Sequence, residues 1–94
     1  MICKKAIEVY GTKNQMMQCI EEMAELTQAI NKYFRAESLK DKISAYDKIA
    51  EETADVQIMI EQMRIMFDAD VIDDYIKAKK KRLEERLAEM RGAK

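Results

Sequence analysis

The sequence predicts an all-α domain of antiparallel helical hairpins, with a four-helix-bundle-type core that oligomerisation completes. Proline is absent and glycine occurs only at positions 11 and 92, so little interrupts a helix. The β-branched alternation that marks strands is scarce. Apolar residues instead recur at spacings of three and four, the period of one helix face.

The elements follow in order. A first helix is expected over about residues 2–9, stopped at Gly11. Thr12 followed by Gln15 has the form of a capping box, so a second helix is expected over about 13–34. The polar segment "RAESLKDK" connects it to a third helix over about 42–66, with Ser38 or Asp41 as its cap. "FDAD" breaks that helix, and Asp70 is the candidate N-cap of a fourth helix over about 71–90, which frays into "RGAK". No linker or low-complexity segment divides the chain, so residues 1–94 are read as one domain.

Composition then bounds the function. A chain of 94 residues buries only about 60–65% of its unfolded surface, yet 48% of these residues are hydrophobic, eight of them Met. That surplus points to burial against a second copy, as a homo-oligomer, dimer or tetramer. The formal net charge of −1 argues against a nucleic-acid partner. No apolar run approaches the roughly 20 residues of a membrane span, and "MICKKAIEVYG" lacks the apolar core of a signal peptide. Cys3 and Cys19 match no zinc or redox spacing and read as reduced thiols of a cytoplasmic protein.

An acidic phrase is written twice. "IEEMAEL" at 20–26 returns as "AEETADV" at 50–56, so Glu21, Glu22 and Ala24 match Glu51, Glu52 and Ala54. Projected on helices, Ile49, Glu52, Val56, Met59 and Met63 share one stripe of the third helix. The fourth helix gives Ile72, Ile76, Lys79, Leu83 and Met90. The second helix offers two stripes: Met16, Ile20, Met23, Thr27, Ile30 and Phe34, or Cys19, Glu22, Leu26, Ala29 and Tyr33. Three seams thus place an ionisable residue, Glu22, Glu52 or Lys79, where an apolar one belongs.

A buried carboxylate costs several kcal/mol unless it is paired, protonated or metal-bound. Glu25 and Asp55 follow Glu22 and Glu52 by three residues, about 60° round the helix and one turn along. If the two helices pack together, four carboxylates converge and raise one another's pKa unless a cation sits between them. Oxygen-only ligands select Mg²⁺ or Mn²⁺. The absence of His excludes the Glu-x-x-His pattern of di-iron bundles and removes the usual general base. Against this stands a plainer account, in which the acidic pairs are solvated faces or form buried salt bridges with Lys79 or Arg82.

The order Glu21-Glu22-Met-Ala-Glu25, a spacer of 26 residues, then Glu52-Thr-Ala-Asp55 resembles the signature of the MazG-like all-α nucleoside triphosphate pyrophosphohydrolases. A downstream basic helix with Lys79, Arg82, Leu83 and Arg86 is similar too, as are the "YG" before the second helix and the overall length. The resemblance implies an oligomeric enzyme that hydrolyses a nucleoside triphosphate to the monophosphate and pyrophosphate. It implies Mg²⁺ held by Glu22, Glu25, Glu52 and Asp55. With no His, Glu21 or Glu52 is the candidate to accept the proton of the attacking water. Lys79, Arg82 and Arg86 are candidates for gripping pyrophosphate. Tyr33, Phe34 and Tyr46 are candidates to stack on a base, although aromatics at helical spacing are more often core. Asn14 and Gln15 are candidates to hydrogen-bond a base or a ribose, although capping explains Gln15 as well.

Two rival readings belong to other classes. One is a non-catalytic dimeric interaction module whose buried Glu/Lys pairs set helix register. The other is a nucleic-acid contact through "KAKKKR", ranked last because Glu84, Glu85 and Glu89 interrupt its basic face.

Overall fold

The computed structural model describes residues 1–92, which form four helices: α1 (Ile2–Tyr10), α2 (Thr12–Arg35), α3 (Leu39–Met66) and α4 (Ala69–Gly92). The all-α expectation holds, with no strand among the described residues.

One residue separates α1 from α2. Gly11 has φ 91° and ψ 150°, a region that essentially only glycine enters, and its N–H donates to the Ile7 carbonyl at 2.8 Å. The expected capping box does not form. Thr12 is already helical and no side chain caps α2. Gln15 is instead buried and donates Nε2 to Oε1 of Gln62 on α3 at 2.8 Å. A buried amide left without a partner would cost more than an exposed cap contributes. Replacing Gly11 by Ala is expected to destabilise the fold by about 1–3 kcal/mol in urea unfolding. An added Cβ meets nothing within 4 Å, so that cost is purely backbone.

The α2–α3 connection is shorter than expected, with only residues 36–38 outside the helices. Ser38 is the cap of α3, its Oγ accepting from the Asp41 N–H at 3.1 Å. At the next break Asp68, not Asp70, caps the helix: its Oδ1 accepts from the N–H groups of Asp70 and Val71 at 3.0 and 3.2 Å. Asp70 lies inside the first turn of α4, where its charge still opposes the positive helix end.

The short connection makes α2 and α3 antiparallel, and the cross-helix pairs confirm it. Gln15 faces Gln62, Glu22 faces Asp55 and Tyr33 faces Lys42, one number falling as the other rises. Lys42 Nζ reaches the Tyr33 carbonyl at 3.4 Å and sits 4.6 Å from the centre of its ring. Of the two stripes on α2, the one that packs is Cys19, Glu22, Leu26, Ala29 and Tyr33, all buried or half-buried. Met16, Ile20, Met23, Ile30 and Phe34 face outward, 37% to 74% exposed. On α3 the packing stripe is the expected one, Ile49 through Met63.

Helix α1 lies against both α2 and α3. Cys3 anchors it, donating its S–H to Glu61 Oε2 at 3.3 Å. Burial, then the Glu61 carboxylate, push this thiol above its ordinary pKa, which leaves it protonated and unreactive.

Among the described residues helix α4 touches only α3, at the elbow, where Arg64 and Asp73 pair at 2.9 Å. It buries no residue, and Lys79, expected in a seam, is exposed along with Ile76, Leu83 and Met90. A single chain therefore packs three helices, not four. Its radius of gyration is 17.5 Å, against about 12 Å for a compact chain of this length. Among the described residues the buried apolar side chains are Cys3, Cys19, Ala29 and Met59.

Candidate metal centre

Glu22 and Glu52 reach the α2–α3 interface because each occupies a position of the packing stripe that an aliphatic residue would otherwise fill. Glu52 is only 4% exposed and Glu22 is half-buried. Asp55, one turn after Glu52, turns its carboxylate to the same place. One ligand oxygen each from Glu22, Glu52 and Asp55 lie within 4.8 Å of one another.

Each buried Glu is half satisfied. Glu22 Oε1 accepts from Gln18 Nε2 at 2.8 Å, and Glu52 Oε1 pairs with Lys48 Nζ at 3.1 Å. The second oxygen of each, Oε2, is buried without a hydrogen-bond partner. Buried polar atoms are nearly always paired, so two orphaned oxygens on converging carboxylates are a specific anomaly. A small hard cation between them would satisfy both oxygens. Opposite oxygens around Mg²⁺ lie about 4.2 Å apart, so a spread of 4.8 Å closes on an ion with small side-chain adjustments. The donor set is oxygen only, as Mg²⁺ and Mn²⁺ require.

Glu25, the expected fourth ligand, stands at the rim. It is exposed and outside the tight triad, yet Glu22 first and Glu52 second raise its carboxyl above the usual carboxylate range. It shares a hollow of about 240 Å³ with Glu52, Lys32 and Lys48. Glu21 is exposed and lines a separate hollow of about 510 Å³ with Tyr10, Asn14 and Gln18. The two candidate proton acceptors therefore differ in kind: Glu52 is inside the triad and Glu21 outside it, on a separate hollow.

Lys79, Arg82 and Arg86 are not brought to the carboxylates. All three are exposed on α4, which makes no contact with α2 among the described residues. The salt bridges expected from Lys79 or Arg82 to the buried acids do not form. Lys48 takes that place, bridging Glu51 and Glu52 at 3.1 Å each. Sequence reasoning missed Lys48 and Gln18, although one signal marks both: each buried Glu has a polar residue four positions earlier, on its own face.

Of the base-contact candidates, Gln15 is consumed by Gln62, and Asn14 Nδ2 donates to the Tyr10 carbonyl at 2.8 Å. Tyr33 is held edge-on to Phe34 and under Lys42. No family model, curated protein or solved structure matches this chain.

Proposed function

We propose that this protein is a Mg²⁺-dependent pyrophosphohydrolase that cleaves a nucleoside triphosphate between the α- and β-phosphates, giving the monophosphate and pyrophosphate. The observation that carries the reading is the triad of Glu22, Glu52 and Asp55 with its two buried, unpartnered oxygens. Glu22, Glu52 and Asp55 hold the cation, with Glu25 completing the set from the rim. The bound ion supplies Lewis-acid polarisation of the α-phosphoryl group and lowers the pKa of its water. Without metal the four carboxylates outnumber the two neighbouring ammonium groups, Lys32 and Lys48, and repel a polyphosphate, so this surface takes such a substrate only as its metal complex. Water adds to the α-phosphorus as the bond to the bridging oxygen breaks, and Glu21 or Glu52 accepts the water's proton. The exposed apolar stripes of α2 and α4 are the faces through which copies associate. Lys79, Arg82 and Arg86 act at a site only as part of such an oligomer.

One observation favours the rival interaction module, namely that Glu52 does pair with a lysine. That pair, however, joins residues four apart on the same helix and fixes no register between helices. It also leaves Oε2 of both glutamates unmatched.

The test is pyrophosphate release from a panel of ribo- and deoxynucleoside triphosphates, with Mg²⁺ and with EDTA. Metal-dependent release matched by an equal amount of monophosphate is the expected result. No turnover, together with no thermal stabilisation by Mg²⁺ or Mn²⁺, assigns the chain to the interaction module.

A further inference from the structure

The carboxylate triad opens on one side into a hollow with a different character. Glu25 and Glu52 line one part of it, and Gln28, Ala29, Lys32 and Lys48 the rest, in about 240 Å³. Through Ala29, Lys32 and Lys48 it continues into a larger hollow of about 620 Å³ that adds Arg35 and Ser44. Lys48 stands one turn before Glu52 on α3, and Lys32 two turns after Glu25 on α2. Because α2 and α3 are antiparallel, both displacements run the same way, toward the turn at residues 36–38. The two ammonium groups therefore flank one trough leading away from the carboxylates.

We propose that this trough is a phosphate subsite, in which Lys48 and then Lys32 hold the β- and γ-phosphates of the triphosphate and the pyrophosphate that leaves. The assignment rests on the pyrophosphohydrolase reading above.

Three features direct it to these residues. Lys32 and Arg35 make no ion pair among the described residues, so their charge is available. Lys48 Nζ pairs with Glu51 and with Oε1 of Glu52, which uses two of its three N–H donors and leaves one for an anion beside the triad. The basic residues of α4 do not reach the carboxylates within one chain, which leaves Lys32 and Lys48 as the lysines beside them.

A structural role for the basic residues at the end of α2 also exists, since positive charge there opposes the negative helix end. Binding and stability readouts separate the two roles. Lys32→Ala and Lys48→Gln are compared with the unaltered protein for binding of Mg²⁺ alone, and of inorganic pyrophosphate in the presence of Mg²⁺, by calorimetry. Thermal melts accompany each titration. Each variant is expected to weaken pyrophosphate binding by about tenfold or more, the loss of one charge-assisted contact. Mg²⁺ binding stays unchanged in Lys32→Ala, and stays unchanged or tightens in Lys48→Gln, where a competing counter-charge is gone. Unaltered protein that turns over triphosphate, with variants that bind pyrophosphate equally well, overturns the subsite and leaves the enzyme reading standing. A drop in melting temperature with no change in pyrophosphate affinity assigns Lys32 to the helix end and Lys48 to its pairing with Glu51 and Glu52, and also overturns it. Unaltered protein that binds neither Mg²⁺ nor Mg²⁺-pyrophosphate removes both proposals together.

Discussion

Replacing Glu52 by Gln is expected to lower kcat/KM for the triphosphate by about a thousandfold or more, with the fold intact. A metal ligand at a phosphoryl-transfer centre supplies several kcal/mol of transition-state stabilisation, and each 1.36 kcal/mol is a factor of ten. Gln keeps the shape of the side chain and one oxygen, but removes the charge that a hard cation needs. Stability moves the other way. The pair that Glu52 loses joins residues four apart on one helix, and its Lys48 partner is half exposed to solvent and free to rehydrate, so the loss is small. In exchange, one of the mutually repelling charges at Glu22, Glu25, Glu52 and Asp55 disappears. Metal-free Glu52→Gln protein therefore melts at or above the temperature of the unaltered protein. A variant that unfolds would show Glu52 to be a structural partner of Lys48, and the cage would be wrong for that residue.

The second large effect is that of the metal on stability, and it carries a pH signature. Mg²⁺ at a hundred times its dissociation constant adds about 2.7 kcal/mol, and each kcal/mol shifts the melting temperature of a domain this size by roughly 4–8 °C. A rise of roughly 10 °C or more over protein in EDTA is expected. In EDTA the stability also depends on pH through Glu25, whose carboxyl is raised by Glu22 and then Glu52. A raised folded-state pKa means the folded chain holds that proton more tightly than the unfolded one. Its stabilising contribution is complete below the unfolded value, near 4.5, and is lost as pH rises through the folded value above it. Asp73 works in the opposite sense. Arg64 lowers its pKa, so its contribution is present above about 3.8 and lost as pH falls through the lowered value. Metal-free protein should thus melt higher at mildly acidic pH than at neutral pH, and lower again in strong acid. Saturating Mg²⁺ should abolish the gain on mild acidification, because the ion replaces the proton as the charge between the acids. A melting temperature indifferent to Mg²⁺ at neutral pH would contradict the metal centre directly.

Both expectations depend on where two helices place four side chains, and only part of that placement is written locally. Gly and Pro usage, helical periodicity and the breaks at Gly11, Ser38 and Asp68 are local, so element order and the all-α class follow from the sequence alone. The doubled acidic phrase put Glu22 and Glu52 on apolar stripes and Asp55 one turn after Glu52, and the structure draws these three carboxylates together. The cap at "FDAD" was read as Asp70 and is Asp68, because the two differ only in where the backbone turns.

Tertiary structure decided the rest. Helix α2 carries two apolar stripes of comparable character, and periodicity cannot rank them. Packing against α3 chose the one with Glu22, leaving the stripe of Met16, Ile20 and Phe34 outside. That choice brings Glu22 beside Glu52 and Asp55 while leaving Glu25 at the rim. The stripe of α4 was expected to face a partner helix but is largely exposed in the single chain, and nothing local says whether such a stripe closes on its own chain. The elbow at Arg64 and Asp73 points α4 away, so its basic residues leave the site and Lys48 and Lys32 stand beside it instead. A sequence fixes which residues share a face, because that follows from the helical period. Which faces meet depends on the angle at each break and on the total area buried, and those are properties of the whole chain.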